Sequence, residues 1–323
     1  MTALHLSAIA YVHGERRPIA ELSGRLDPEL LAPESGLRWY RADDREIWRL
    51  AAAAAARTVE AAAERPDLLV YVTENDHGSS DSLTRLVREL GLPDTRYLRV
   101  SGHDCGNLGP ALHLAGQALA SGEHRRVLLL LADRVLDGDR SQADTLSVVS
   151  DGAVACLVTA EEPGTDTAPG SEPEQGSEPG SEPEPERGPG GVRFAVHGVS
   201  TVTDAAAGAG GAAGDRILAT VALAVAGTGE IARRTGRSVE DFDHLLFPNY
   251  RTVAQQFLCS AMGVPLERLL VGPMAEFGHC FSADSLVSLA HCADRGEIRP
   301  GEHVLAFGDG PNSWSSLAVE RLG

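Results

Sequence analysis

Val100-Ser101-Gly102-His103-Asp104-Cys105-Gly106-Asn107-Leu108-Gly109-Pro110-Ala111-Leu112 is the stretch on which the reading of this chain turns. The apolar run from Tyr97 to Val100 predicts a strand, and a polar, glycine-rich turn follows it. Leu108 to Ala120 then predicts a helix, closed by Ser121-Gly122. Cys105 stands about where that helix begins. Unpaired N–H groups at a helix start carry partial positive charge, which favours a thiolate. A cysteine in a turn can equally be packed as a small hydrophobe. The local sequence leaves both readings open.

The totals narrow the class. The chain has 323 residues, 43% of them hydrophobic, enough for one large or two medium domains with a sizeable core. Its net charge of −18 argues against nucleic acid or an anionic membrane surface as partner. No apolar run approaches a membrane span, and the N-terminus lacks the basic start of a signal peptide, so a cytoplasmic protein is the expectation. The five cysteines form no C-x-x-C pair and suit neither a zinc site nor a disulfide framework. Cys156, Cys259 and Cys292 read as core packing.

Outward from the turn, strands and helices alternate. Residues 3–12 predict a strand, and 44–64 an alanine-rich helix with Asp43 or Asp44 as its cap. Residues 68–72 predict a strand, 82–90 a helix, and 126–132 a strand buried on both faces. Residues 148–158 predict another strand. Residues 161–191 differ in kind. Gly-Ser-Glu-Pro recurs from Gly170, Gly176 and Gly180, and nine acidic residues face a single Arg187. That composition predicts a disordered acidic insertion. A second α/β run follows, with strands over 192–196, 243–247, 269–271, 303–307 and 316–320. Its helices are expected over 217–234, 252–262 and 282–294, and a small-residue loop over 205–214. The organisation expected is therefore a half over 1–160 carrying the cysteine, the insertion over 161–191, and a second half over 192–323. Two similar α/β halves place a site where loops at strand ends converge.

Several landmarks, taken in order, resemble the thiolase superfamily, and most of all the β-ketoacyl-ACP synthase III enzymes. Ser35-Gly36-Leu37-Arg38 resembles the T-G-I-R segment, and Cys105-Gly106 the nucleophile turn. Asp151-Gly152-Ala153 resembles G-D-G-A, and the run from Arg299 to Leu305 resembles I-K-P-G-x-x-V-L. Gly308-Asp309-Gly310 with Trp314 resembles the terminal G-G-G-F-x-W-G loop. The resemblance implies an α/β thiolase-like fold of two similar halves in a five-layered α-β-α-β-α arrangement. It further implies a cytoplasmic homodimer that works on acyl-CoA or an acyl carrier protein, with no resident cofactor and no metal.

Two departures matter. Where synthase III enzymes read P-H-Q-A-N and G-N-T-S, this chain reads Pro248-Asn249-Tyr250 and Gly278-His279-Cys280. The implied set is Cys105, Asn249 and His279, with Asn and His exchanged as in thiolases proper. The second thiolase cysteine is missing from the last loop, leaving Cys280 and Asp309 as open candidates for its role. The resemblance makes Cys105 the acyl-carrying nucleophile and the Cys105 and Gly310 N–H groups the oxyanion donors. His279 is the implied general acid/base. Arg38, Trp39 and Arg251 are candidates for CoA or carrier contacts, set against ordinary surface or core-edge placement. The expected activity is transfer of an acyl group from Cys105 to an alcohol or amine in specialised metabolism. Decarboxylative condensation with a malonyl thioester is the first alternative, and an inactive subunit of a hetero-oligomer the second.

Overall fold

The computed structural model describes residues 4–76, 81–142, 146–160, 191–206 and 213–323. Almost all of the acidic insertion, most of the loop expected over 205–214, and His77 lie outside those residues.

Alternation of apolar side chains builds the sheets. In β4 (Leu68–Val72), Leu68, Val70 and Val72 face one core while Leu69 and Tyr71 face another. In β6 (Arg126–Asp133), Val127, Leu129 and Leu131 part from Leu128 and Leu130 in the same way. Such strands need cover on both faces, so layers of helix follow from their sequence. The N-terminal half also contains β1 (Leu4–His13), β2 (Glu15–Pro18), β3 (Trp39–Ala42), β5 (Arg96–Val100) and β7 (Gly152–Thr159). Its helices are α1 (Pro28–Leu31), α2 (Ile47–Ala61), α3 (Asp81–Glu89) and α4 (Leu108–Ala120). The C-terminal half contains β8 (Arg193–Thr203), β9 (His244–Leu246), β10 (His303–Gly310) and β11 (Ser313–Leu322). It adds α5 (Ala213–Thr235), α6 (Thr252–Ala261), α7 (Met274–Phe277) and α8 (Asp284–Asp294).

The main sheet runs β5-β4-β6-β7-β1-β8-β11-β10-β9, while β2 and β3 pair apart from it. Among the described residues, the strands of the two halves join where β1 meets β8, over Leu4–Leu6 and Phe194–Val196. Helices α2 and α3 cover the outer face of the first half. Helices α5 and α6 cover that of the second, over Leu305, Phe307 and Ala318. Between the halves lie α4 and α8, packed at once on Leu129 and Val154 of the first and Phe194, Val304 and Leu317 of the second. The five layers expected from the sequence are these. Because α4 and α8 are the shared middle layer, their N-terminal ends bring Cys105 and His279 to one place.

Three local expectations need correction. Residues 269–271 do not form a strand. Leu269 makes one isolated bridge to Leu245 before Gly272-Pro273, and proline has no N–H with which to extend a ladder. The strand expected from Val148 begins at Gly152. Val148 to Ser150 instead bind the His279 backbone: His279 N–H donates to Val148 O at 2.9 Å, and Ser150 N–H to His279 O at 2.8 Å. Helix α2 starts after Glu46, not at Asp43 or Asp44, because the Asp43 carboxylate is engaged by the N–H and guanidinium of Arg45.

Gly278 shows how tightly this corner is built. Its φ is +62°, and a Cβ there would lie 2.7 Å from both Val148 O and Ser150 Oγ. We expect Gly278→Ala to cost about 1–3 kcal/mol in backbone strain, with the clash added to it. A fall in the urea midpoint together with a loss of His279-dependent activity is the expected result, and an unchanged midpoint would refute this reading.

Candidate active site

Glu74, just beyond β4, organises the nucleophile turn. One carboxylate oxygen accepts from the N–H groups of Gly102, His103 and Asp104 at 2.5, 3.1 and 3.0 Å, and from Asn107 Nδ2 at 2.6 Å. The turn needs such a partner, because Asp104 sits at φ 48°, in the left-handed region that a non-glycine residue adopts only at a cost. The following residue, Cys105, is thereby held partly exposed at the foot of α4. The β10–β11 hairpin closes the turn from the other half. Ser315 Oγ donates to Gly106 O at 2.5 Å and Ser313 Oγ to His103 O at 3.2 Å. The last loop packs so close that a Cβ on Gly310 would come within 2.3 Å of His103 O.

The loop that holds Glu74 is itself anchored on a buried acid. Asp133 Oδ1 accepts from Thr73 Oγ1, Glu74 N and Asn75 N at 2.8, 2.9 and 2.9 Å. Burial pushes the Asp133 carboxyl up to about 7, against the pull of those three donors. The sign of the linkage is fixed by that rise. A carboxyl whose pKa is higher folded than unfolded adds stability below pH 4 that is lost as pH climbs through 7. The loss is on the order of 4 kcal/mol. Asp133→Asn keeps the accepting oxygen but cannot ionise. Its urea midpoint should fall less steeply than that of the parent between pH 5 and 8, and parallel profiles would contradict this.

Cys105 Sγ lies 3.0 Å from His279 Nε2, and His279 Nδ1 lies 2.5 Å from Asp284 Oδ2. His279 and Asp284 are both buried. Donation of the Nδ1 proton to Asp284 leaves Nε2 as the acceptor that faces the sulfur. Burial works against a charged imidazole, but the Asp284 carboxylate and the Cys105 sulfur outweigh it and hold the His279 pKa well above its ordinary value. Burial also pushes the Cys105 thiol up, with His279 pulling the other way and Asp309 and Asp284 adding to the rise. When sulfur and imidazole share one proton, Asp284 therefore favours the thiolate–imidazolium form.

The sequence reading missed Asp284. It opens α8, where an acidic residue reads as an ordinary helix-start signal, and nothing in the local sequence ties it to His279. Its second oxygen accepts Cys280 N–H at 2.7 Å. It also binds Asn249. Asn249 is fully buried, its N–H and Nδ2 donate to Asp284 at 2.8 and 3.2 Å, and its Oδ1 accepts from Ser288 at 3.3 Å. Its side chain thus helps to hold the carboxylate that backs His279.

The other candidates fall into place by their contacts. The Cys280 thiol is buried and directed at Phe277 O, 3.7 Å away, and burial holds its pKa well above normal, which disfavours a thiolate there. Asp309 is buried in the last loop and accepts a hydrogen bond from Tyr250 OH. Burial raises its pKa to about 6, opposed by Tyr250 and His279. The Tyr250 ring lies 5.8 Å from that of His279. Trp39 is covered by the Arg16 guanidinium at 4.0 Å, Arg251 is ion-paired to Glu29 at 2.7 Å, and Arg38 is exposed beside β3.

Two α/β halves with a thiol on one middle helix and a carboxylate-backed imidazole on the other define a thiolase-fold enzyme. Comparisons with known proteins agree. The C-terminal model of 3-oxoacyl-[acyl-carrier-protein] synthase III matches residues 232–321. β-Ketoacyl-[acyl-carrier-protein] synthase III 3 of Streptomyces coelicolor is 31% identical over 84% of this chain and 81% of its own length. Synthase III 4 of the same organism is 28% identical over 90% of each. Among solved structures, the acyltransferase ChlB3 superposes with a TM-score of 0.78 at 20% identity, covering 99% of this chain and 98% of its own. The synthase III of Pseudomonas aeruginosa PAO1 superposes at 0.74 and 19% identity, covering 99% of both. The chain belongs to the β-ketoacyl-ACP synthase III family, a family of acyltransferases and condensing enzymes within the thiolase superfamily.

Among the described residues, no helix is long and apolar enough to cross a membrane.

Proposed function

We propose that this chain is a cysteine-dependent acyltransferase that moves an acyl group from acyl-CoA or an acyl carrier protein to an alcohol or amine in specialised metabolism. The Cys105 thiolate attacks the thioester carbonyl, and the oxyanion is met by the N–H groups of Cys105 and Gly310. The leaving thiolate takes the proton held on His279 Nε2. In the second half-reaction Nε2 removes the proton of the acceptor hydroxyl or amine, which attacks the thioester and frees Cys105. The thioester is a substrate, and no resident cofactor is needed.

The observation that carries this reading is the line Cys105–His279–Asp284. Deprotonating one acceptor needs a single base backed by a carboxylate, which that line supplies. Decarboxylative condensation needs donors on the enolate oxygen of a malonyl thioester, and the Asn249 amide already gives one of its two N–H groups to Asp284. The ChlB3 likeness also fits transfer, whereas the Streptomyces coelicolor relatives favour condensation as the second reading. Carbon dioxide release from malonyl-ACP by the acylated protein decides between them. None is expected, and stoichiometric release would overturn transfer.

A cytoplasmic homodimer belongs to the same reading. Strand β5 is an edge of the main sheet and exposes Tyr97, which suits pairing of two copies there.

A further inference from the structure

Far from Cys105, strands β8, β11 and β10 each contribute one metal-binding side chain to the same spot: His197, Glu320 and His303. All three ligand atoms lie within 4.8 Å of one another. Strand register produces the cluster. His303 stands directly opposite Glu320 in the β10–β11 pair. On β8 the register slips between Val196 and Gly198, opposite Val319 and Ala318, and His197 is the extra residue of that bulge. The His197 and His303 rings stack at 5.5 Å.

Glu320 Oε2 lies 2.9 Å from His197 Nε2 and 3.5 Å from His303 Nε2. The first is a hydrogen bond. The second is not, so His303 Nε2 is a buried ring nitrogen without a hydrogen-bond partner, aimed into the cluster. Asp243 lies close by: its Oδ2 accepts the backbone N–H of His303 at 2.8 Å and stands 4.0 Å from Nδ1, beyond hydrogen-bond distance. Tetrahedral zinc holds its N and O ligands roughly 3.3 Å apart, so the two separations to Glu320 already bracket what the ion requires.

We propose that His197, His303 and Glu320 form a three-ligand site for a divalent transition metal of the zinc class, with a fourth position open to water. Two imidazoles and one carboxylate suit zinc over magnesium or calcium, which prefer all-oxygen shells. His197 is exposed, which gives the ion a way in. No sequence motif announces the site, because its ligands come from three strands. Gly310 lies seven residue steps beyond His303 along β10, about 23 Å of extended chain. The ion would staple the base of the hairpin whose tip closes over Cys105. The site is independent of the acyl-transfer reading.

The test uses EDTA-treated Cys105→Ala protein, so that Cys105 and His279 do not compete for metal. Zn²⁺ is titrated by calorimetry, and Co²⁺ is followed by its four-coordinate visible bands. One ion per chain is expected, with a rise in Tm. Adding His197→Ala or His303→Ala should weaken binding by about 10–100-fold or more and abolish the Tm rise. Because His197 is exposed, its replacement does not threaten the fold. No uptake by the Cys105→Ala parent, or equal uptake by parent and either histidine variant, would overturn the site.

Discussion

Cys105→Ala should yield a folded protein that takes up no acyl group from any thioester and has lost transfer on the order of 10⁴-fold or more. The size of the effect follows from the chemistry. Without the sulfur there is no covalent intermediate, and the oxyanion donors can only orient a thioester they cannot cleave. Stability should change little, because Cys105 is partly exposed and its turn is held by Glu74, Ser313 and Ser315. The substitution has a second signature. The sulfur is one of the groups that raise the His279 pKa, so the imidazole of the variant should titrate lower than in the parent. Proton-detected NMR of the His279 ring checks this. An unchanged titration would mean that the two side chains do not share a proton.

Asp284→Asn is the second large effect. It leaves volume and position nearly intact but can no longer hold the Nδ1 proton or support an imidazolium. A loss of about 10²–10⁴-fold in transfer is expected, by analogy with the same change in serine hydrolase triads. Some structural cost is unavoidable, since the carboxylate also serves Asn249 and Cys280. The pH profile separates the two contributions. Asp284 raises the His279 pKa, so removing its charge should move the acidic limb of transfer to lower pH while the plateau drops. A lower plateau with an unmoved limb would mean that Asp284 only shapes the loop.

Much of this was legible in the sequence. The alternation in Leu68–Val72 and Arg126–Asp133 demanded a sheet covered on both faces, and the layers follow from it. Cys105 stood out because strand, turn and helix meet there. His279 stood out because Gly278-His279-Cys280 stands where synthase III enzymes read G-N-T-S, with Asn and His exchanged as in thiolases. What stayed hidden depends on side-chain direction and distant pairing. Asn249 was placed in the right loop, but a loop motif does not say which way a side chain points, and the nearest buried carboxylate claimed it. Asp284 reaches His279 because the turn over Phe281–Ala283, with Phe281 at φ 53°, folds the start of α8 back on the imidazole. Glu74 reaches the nucleophile turn because β4 and β5 run parallel, side by side, and their C-terminal loops meet. Neither relation leaves a mark in local sequence.

The central claim is that Cys105 carries an acyl group and passes it to a hydroxyl or amine. Intact mass spectrometry after incubation with short, branched and aromatic acyl-CoAs, followed by peptide mapping, tests it most directly. The account predicts one acyl adduct on Cys105, discharged when an alcohol or amine acceptor is added without malonyl thioester. No adduct with any donor, or an adduct that only malonyl-ACP discharges, would contradict it.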